Sequence, residues 1–121
     1  AEANIIDCSF SGMRGAEAAI LVYQGTLPES VQGRAAVTDY TPPTDGSMSL
    51  NIQYPNVEDN SVNLSPVANL GGRVTVDNGR FNNNNGQESG AIGVWYNGGL
   101  TMTQSCFTSN RGTSSGGIFV P

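Results

Sequence analysis

The sequence has no histidine and no lysine, and its charge is sparse, with five arginines against ten carboxylates in 121 residues. Without imidazole, Ser-His-Asp and Cys-His catalytic groups are excluded, as is the usual zinc site. Without clustered cations a polyanion meets no complementary surface, so nucleic acid is not an expected partner. No apolar run approaches the ~20 residues that span a bilayer, and no basic amphipathic helix offers surface attachment, so no membrane insertion is expected. The chain also opens without methionine or a signal peptide, which reads as a processed or partial chain. Sustained helical spacing is missing too. Short apolar runs separated by Gly, Asn, Ser and Thr indicate strands and turns in one domain. The run Ala16–Tyr23 fits a buried strand as well as a helix and is read as strand.

What is present is repetition. Aligning the chain on three phenylalanines gives the same order each time: two alternating apolar residues, Phe, then Gly, then a small pair followed by Ile. The copies are Ala3, Ile5, Phe10, Gly15, Ala18-Ala19-Ile20; Val74, Val76, Phe81, Gly86, Gly90-Ala91-Ile92; and Leu100, Met102, Phe107, Gly112, Gly116-Gly117-Ile118. Phe81 and Phe107 are 26 residues apart. A unit of this length cannot cover its own apolar face and buries it by stacking on its neighbours. The predicted repeat core is therefore Phe10, Ile20, Phe81, Ile92, Phe107 and Ile118. The Asn-rich stretch Asn82–Asn85, with Asn110 in the next copy, is expected at a corner, where Asn tolerates left-handed dihedrals and can bond its equivalent one layer away.

The stretches FNNNNGQESGAIGVWYNGGLTM and CFTSNRGTSSGGIFV resemble the Phe-x-x-Asn and Gly-Gly-Ala/Ile repeats of right-handed parallel β-helix proteins. The resemblance is to the pectate-lyase-like group, especially to the repeats of surface adhesins and polymorphic outer-membrane proteins. The resemblance implies an all-β solenoid over residues 1–121, with coils over 73–121, a coil over 3–27 and an irregular or inserted segment over 28–72. Within that middle segment Ser47–Tyr54 alternates cleanly, and the Thr41–Thr44 stretch with its two prolines is extended. A β-sandwich is the alternative fold. The resemblance is to a repeat type and specifies architecture better than activity. It implies polysaccharide lyases, adhesins or fibre components, with no cofactor required for the last two.

Candidate chemistry is thin. Gly71-Gly72 and Gly98-Gly99 read as turns, because no Lys follows and no helix opens there. Asp7 and Asp77 hold similar places in two copies, Glu58-Asp59 adjoins Asn60, and each reads as solvated surface. Trp95 and Tyr96 adjoin a Gly-rich turn; on a strand one of the two faces outward, a candidate carbohydrate contact. Asn63-Leu64-Ser65 is an N-glycosylation sequon followed by Pro66, and Thr41 and Thr44 are candidate O-glycosylation sites.

Cys8 and Cys106 in such a composition fit an extracellular or cell-surface setting. A bridge between them is too long within one solenoid, being two rungs or about 10 Å, beyond the reach of a disulfide. They could meet across stacked subunits, although on straight strands they point to opposite faces; buried free thiols are the other reading. Open β-helix ends expose backbone groups and coil interior. The expected function is a non-enzymatic extracellular structural subunit stacking head to tail on itself, with glycans as further partners. The alternatives are an adhesin or carbohydrate-binding module, or a fragment of a polysaccharide lyase.

Overall fold

Alternating burial of apolar and polar residues marks the segments 49–53, 73–77 and 99–103. In the computed structural model, which describes residues 2–15, 18–23, 48–96 and 98–120, the chain is all-β and the described residues contain no helix. Strands fall into four successive repeats. Repeat 1 holds β1 (Glu2–Ile6), β2 (Ser9–Ser11) and β3 (Ile20–Val22). Repeat 2 holds β4 (Ser49–Gln53), β5 (Asn56–Glu58), β6 (Ser61–Val62) and β7 (Val67–Leu70). Repeat 3 holds β8 (Arg73–Asp77), β9 (Arg80–Asn82), β10 (Asn85–Gly86) and β11 (Ile92–Trp95). Repeat 4 holds β12 (Gly99–Thr103), β13 (Cys106–Thr108), β14 (Arg111–Gly112) and β15 (Ile118–Phe119).

Like strands of different repeats pair, giving the sheets β1-β4-β8-β12, β2-β5-β9-β13, β6-β10-β14 and β3-β7-β11-β15. All pairings among these strands are parallel. The β-sandwich alternative, which is built from antiparallel sheets, is thereby corrected.

Register places the expected core residues in columns. Phe10, Val57, Phe81 and Phe107 align, as do Ile20, Val67, Ile92 and Ile118. The first column contains a fourth member, Val57, that the alignment on phenylalanine passes over. The expectation of an irregular stretch over 28–72 is therefore corrected from residue 48 onward: residues 49–70 form a repeat paired to both neighbours. Residues 28–47, with Thr41 and Thr44, lie outside the described residues. Inward positions alternate with outward ones, as in β8, where Val74 and Val76 are buried and Arg73 and Thr75 exposed. β4, β8 and β12 each contribute two apolar side chains to the main core, and β1 contributes Ile5.

The sheet containing β7 and β11 departs from alternation. Both strands are buried at every position, and Leu64, Ala68, Leu70 and Trp95 form a second apolar cluster, separate from the core of Val67, Ile92 and Val94. Near-continuous apolar runs are what a parallel strand covered on both faces requires. Gly93 belongs to this arrangement, since a Cβ there would lie 2.3 Å from the Trp95 ring.

Corners are made by left-handed residues. Asp7, Tyr54, Asn78 and Gln104 (φ 52–55°) follow the first strand of each repeat, and Asp59, Asn83 and Ser109 (all φ 56°) follow the second. Gly12 (φ 72°) takes the latter place in repeat 1, where no Cβ opposes the bend. The expected Asn corner is thus present at Asn83.

Candidate functional site

Buried polar groups are tied into ladders that run from repeat to repeat. Three residues after the Phe/Val column stand Met13, Asn60, Asn84 and Asn110. Asn60 Nδ2 donates to Asn84 Oδ1 and Asn84 Nδ2 to Asn110 Oδ1, both at 3.0 Å. The same oxygens accept the main-chain N–H of Asn60 and Asn84. Each Nδ2 also donates to a carbonyl of the preceding repeat: Asn60 to Phe10, Asn84 to Val57, Asn110 to Phe81. A second ladder joins Ser65 Oγ and Ser89 Oγ at 2.8 Å. Asn69 closes the corner after β7, donating to the Gly72 and Gly99 carbonyls and accepting from Gly72 N–H. Among the described residues no buried side-chain nitrogen or oxygen lacks a partner. Packing and hydrogen bonds together fix the vertical register, because a slip of one residue would break both.

Among the described residues the columns end at repeats 1 and 4, where Ile20 of repeat 1 is 7% exposed and Ile118 of repeat 4 is 40% exposed. Among the described residues, each strand of repeats 1 and 4 has a single neighbouring strand. Phe107 and Ile118 are 39% and 40% exposed, whereas their counterparts Phe81 and Ile92 are at 1% and 0%. Leu100, Met102, Ile5 and Phe10 are half-buried against the same core. Among the described residues these ends combine strand edges without a second neighbouring strand with apolar side chains, the two features by which the inner repeats hold each other.

The remaining candidates from the sequence disperse. Trp95 is buried at 7% exposure and packs edge-on against Phe119 at 6.0 Å, while Tyr96 sits half-buried at the turn that follows. The sugar platform expected there is corrected at Trp95: strand alternation does turn the indole away from the main core, but the second apolar cluster receives it. In the sequon, Asn63 is half-buried and its Nδ2 donates to the Gly15 carbonyl, while Ser65 is fully buried.

Cys8 and Cys106 are both free and both exposed, which corrects the reading as buried thiols. Cys8 follows the left-handed Asp7 at a corner, so the straight-strand argument that sets the two thiols on opposite faces does not apply. The extra repeat places them three rungs apart, roughly 14 Å. Asp7 and Asp77 prove to occupy different positions, Asp7 at the corner and Asp77 in register with Gln53 and Thr103. Asp59 accepts a hydrogen bond from Asn83, and Asn60 belongs to the buried ladder. No group of three or more Cys, Asp or Glu side chains is gathered for a metal among the described residues.

A groove of about 650 Å³ is lined by Asn56, Glu58, Arg80, Asn82, Cys106 and Thr108 on the outer face of β5, β9 and β13, with Phe81 beneath. The residues that the phenylalanine alignment misses are Val57, Asn60 and Asn69. The first two were within reach, because Val57-Glu58-Asp59-Asn60 repeats the spacing of Phe81 to Asn84 and Phe107 to Asn110.

Comparison with known proteins finds no matching family, no matching curated protein and no matching solved structure.

Proposed function

We propose that this chain is a right-handed parallel β-helix of the pectate-lyase-like repeat type and a non-enzymatic, extracellular structural subunit that stacks head to tail into a fibre or surface filament. The observation that carries the reading is that, among the described residues, the strands of repeats 1 and 4 each pair on one side only. Repeat 4 ends in Leu100, Met102, Phe107 and Ile118, and repeat 1 begins with Ala3, Ile5, Phe10 and Ile20 in the same columns. Laid one on the other, the two faces continue every apolar column. Contact of this head-to-tail kind does not close on itself and therefore grows linearly.

The cysteines suit the same arrangement. In a stack Cys106 of one copy aligns with Ser9 of the next, and the adjoining Cys8 lies roughly 6 Å away between Cα atoms, inside disulfide range. The Lys-free, Asn/Gly/Ser/Thr-rich composition supports the extracellular setting.

Negative-stain electron microscopy of the purified chain tests the reading. The expected image is a thin filament with an axial subunit repeat of about 19 Å, four rungs of ~4.8 Å. Dispersed particles at every concentration would remove it.

A second reading, a carbohydrate-binding surface module, moves from Trp95 and Tyr96 to the polar groove beside Arg80, whose rows of amide, carboxylate and guanidinium groups suit hydroxyl-rich ligands. Glycan-array binding that an Arg80→Ala change abolishes, in a chain that stays monomeric, would favour this reading over the fibre.

A further inference from the structure

The asparagine ladder has a direction, and its two ends differ. Each side-chain oxygen points back to the preceding repeat, where it accepts two hydrogen bonds from the asparagine below: Asn84 Oδ1 from Asn60 N–H and Nδ2–H, Asn110 Oδ1 from Asn84 N–H and Nδ2–H. At the upper end, Asn110 Nδ2 donates to the Phe81 carbonyl. Its second Nδ2 hydrogen and its main-chain N–H have no partner among the described residues and stand at the open face of repeat 4. At the lower end the place belongs to Met13, which gives only its main-chain N–H to Asn60 Oδ1. Its thioether side chain, 36% exposed, brings no oxygen to the outer side of repeat 1.

This asymmetry bears on what repeat 4 accepts as a neighbour. A second copy seated by its first repeat matches the Leu100, Met102, Phe107 and Ile118 columns with apolar side chains. It fails in one column, where the two donors of Asn110 would be covered by Met13. A covered donor without an acceptor weakens the contact, whereas an Asn oxygen in the same place would accept both, as it does twice within the chain.

We infer that residue 13 sets the strength and selectivity of end-on stacking: the face of repeat 4 prefers a rung carrying an asparagine at the ladder position, and identical copies meet at a joint that Met13 weakens. The inference rests on the stacking reading above and specifies its interface. The joint is then the weakest layer of a filament, since every internal layer between repeats 2, 3 and 4 has its ladder bonds complete.

The experiment compares the full chain with Met13→Asn and Met13→Leu by sedimentation velocity over a concentration series, with amide hydrogen exchange at Asn110 as a second readout. Met13→Asn is expected to tighten association about tenfold or more, the effect of supplying an acceptor to two otherwise stranded donors. It should also protect the Asn110 amide from exchange in the assembled state. Met13→Leu, apolar like the native residue, should associate as the native chain does. If all three associate equally, or if Met13→Leu strengthens the contact as much as Met13→Asn, selection by the ladder is overturned and stacking itself stands. If none associates at any concentration, the stacking reading and this inference both fall.

Discussion

Asn84 is suspended between its two equivalents, its Oδ1 accepting from Asn60 Nδ2 and its Nδ2 donating to Asn110 Oδ1, each at 3.0 Å. It is 1% exposed, so no water replaces a lost bond. Burying an amide is favourable only while its hydrogen bonds are complete, and here the side chain holds three repeats in one vertical register.

Replacing Asn84 with Ala removes the acceptor of two Asn60 donors, takes the Nδ2 donor from the Val57 carbonyl and leaves Asn110 Oδ1 with only the main-chain N–H of residue 84. The expected loss is about 3 kcal/mol, the scale for several stranded buried groups with partial relaxation. Urea unfolding of the variant should show a lower midpoint with an unchanged slope. A change under about 0.5 kcal/mol, the range of an ordinary surface substitution, would mean that the ladder is not a source of stability.

Two stacked phenylalanines should differ in their contribution. Phe81 and Phe107 have ring centroids 5.2 Å apart, yet Phe81 is 1% exposed and Phe107 39%. Phe81→Ala is expected to cost about 3–5 kcal/mol, the range for a fully enclosed ring. Phe107→Ala should cost about 1–2 kcal/mol in the monomer, because much of its surface already meets water. Thermal unfolding at low protein concentration checks the order. If the two losses are equal, the face of repeat 4 is not open in solution.

Trp95 is the sole tryptophan and therefore a clean reporter. Its burial against Phe119 predicts a blue-shifted emission maximum and weak quenching by acrylamide in the folded chain. Phe119→Ala should raise the quenching constant, and oligosaccharides should leave the emission unchanged. An emission shift on adding sugar would restore Trp95 as a binding platform.

The repeat was legible in the sequence because Phe10, Phe81 and Phe107 are bulky and rare, and because Val74, Val76, Leu100 and Met102 alternate in front of two of them. The corner at Asn83 was legible for a chemical reason, since asparagine tolerates a left-handed bend more readily than most residues, whereas the corners at Tyr54 and Gln104 carried no such signal. Repeat 2 was hidden by two local facts. Val57 replaces phenylalanine in the column, and Phe10 and Phe81 are separated by 71 residues, a distance that only resolves once Val57 divides it. Alternation over Ser47–Tyr54 puts Met48, Leu50, Ile52 and Tyr54 on one face; the first three are buried, but Tyr54 is 54% exposed at a left-handed corner, and pattern within a strand says nothing of which repeat lies beside it.

The role of Trp95 was not legible for a related reason. Strand periodicity distinguishes two faces, and only the three-dimensional placement of Leu70 and Phe119 reveals that the second face is apolar as well. The thiols were misjudged because Cys8 lies at a bend, where a two-residue period does not apply. Asn69 gave no signal, standing as a single polar residue in an apolar strand, its partners being Gly72 in the bend that follows and Gly99 at the start of β12.

The in-register pairing of Arg73 with Gly99 makes the length of this molecule a quantised property. Excising residues 73–98 as a block would bring the remaining strands together with their inward faces still inward. Losing a single residue within β8 would invert the strand's interior and exterior beyond that point. Genetic change should therefore lengthen or shorten such a chain by whole layers, and small insertions should gather at the corners, where an added residue displaces no column.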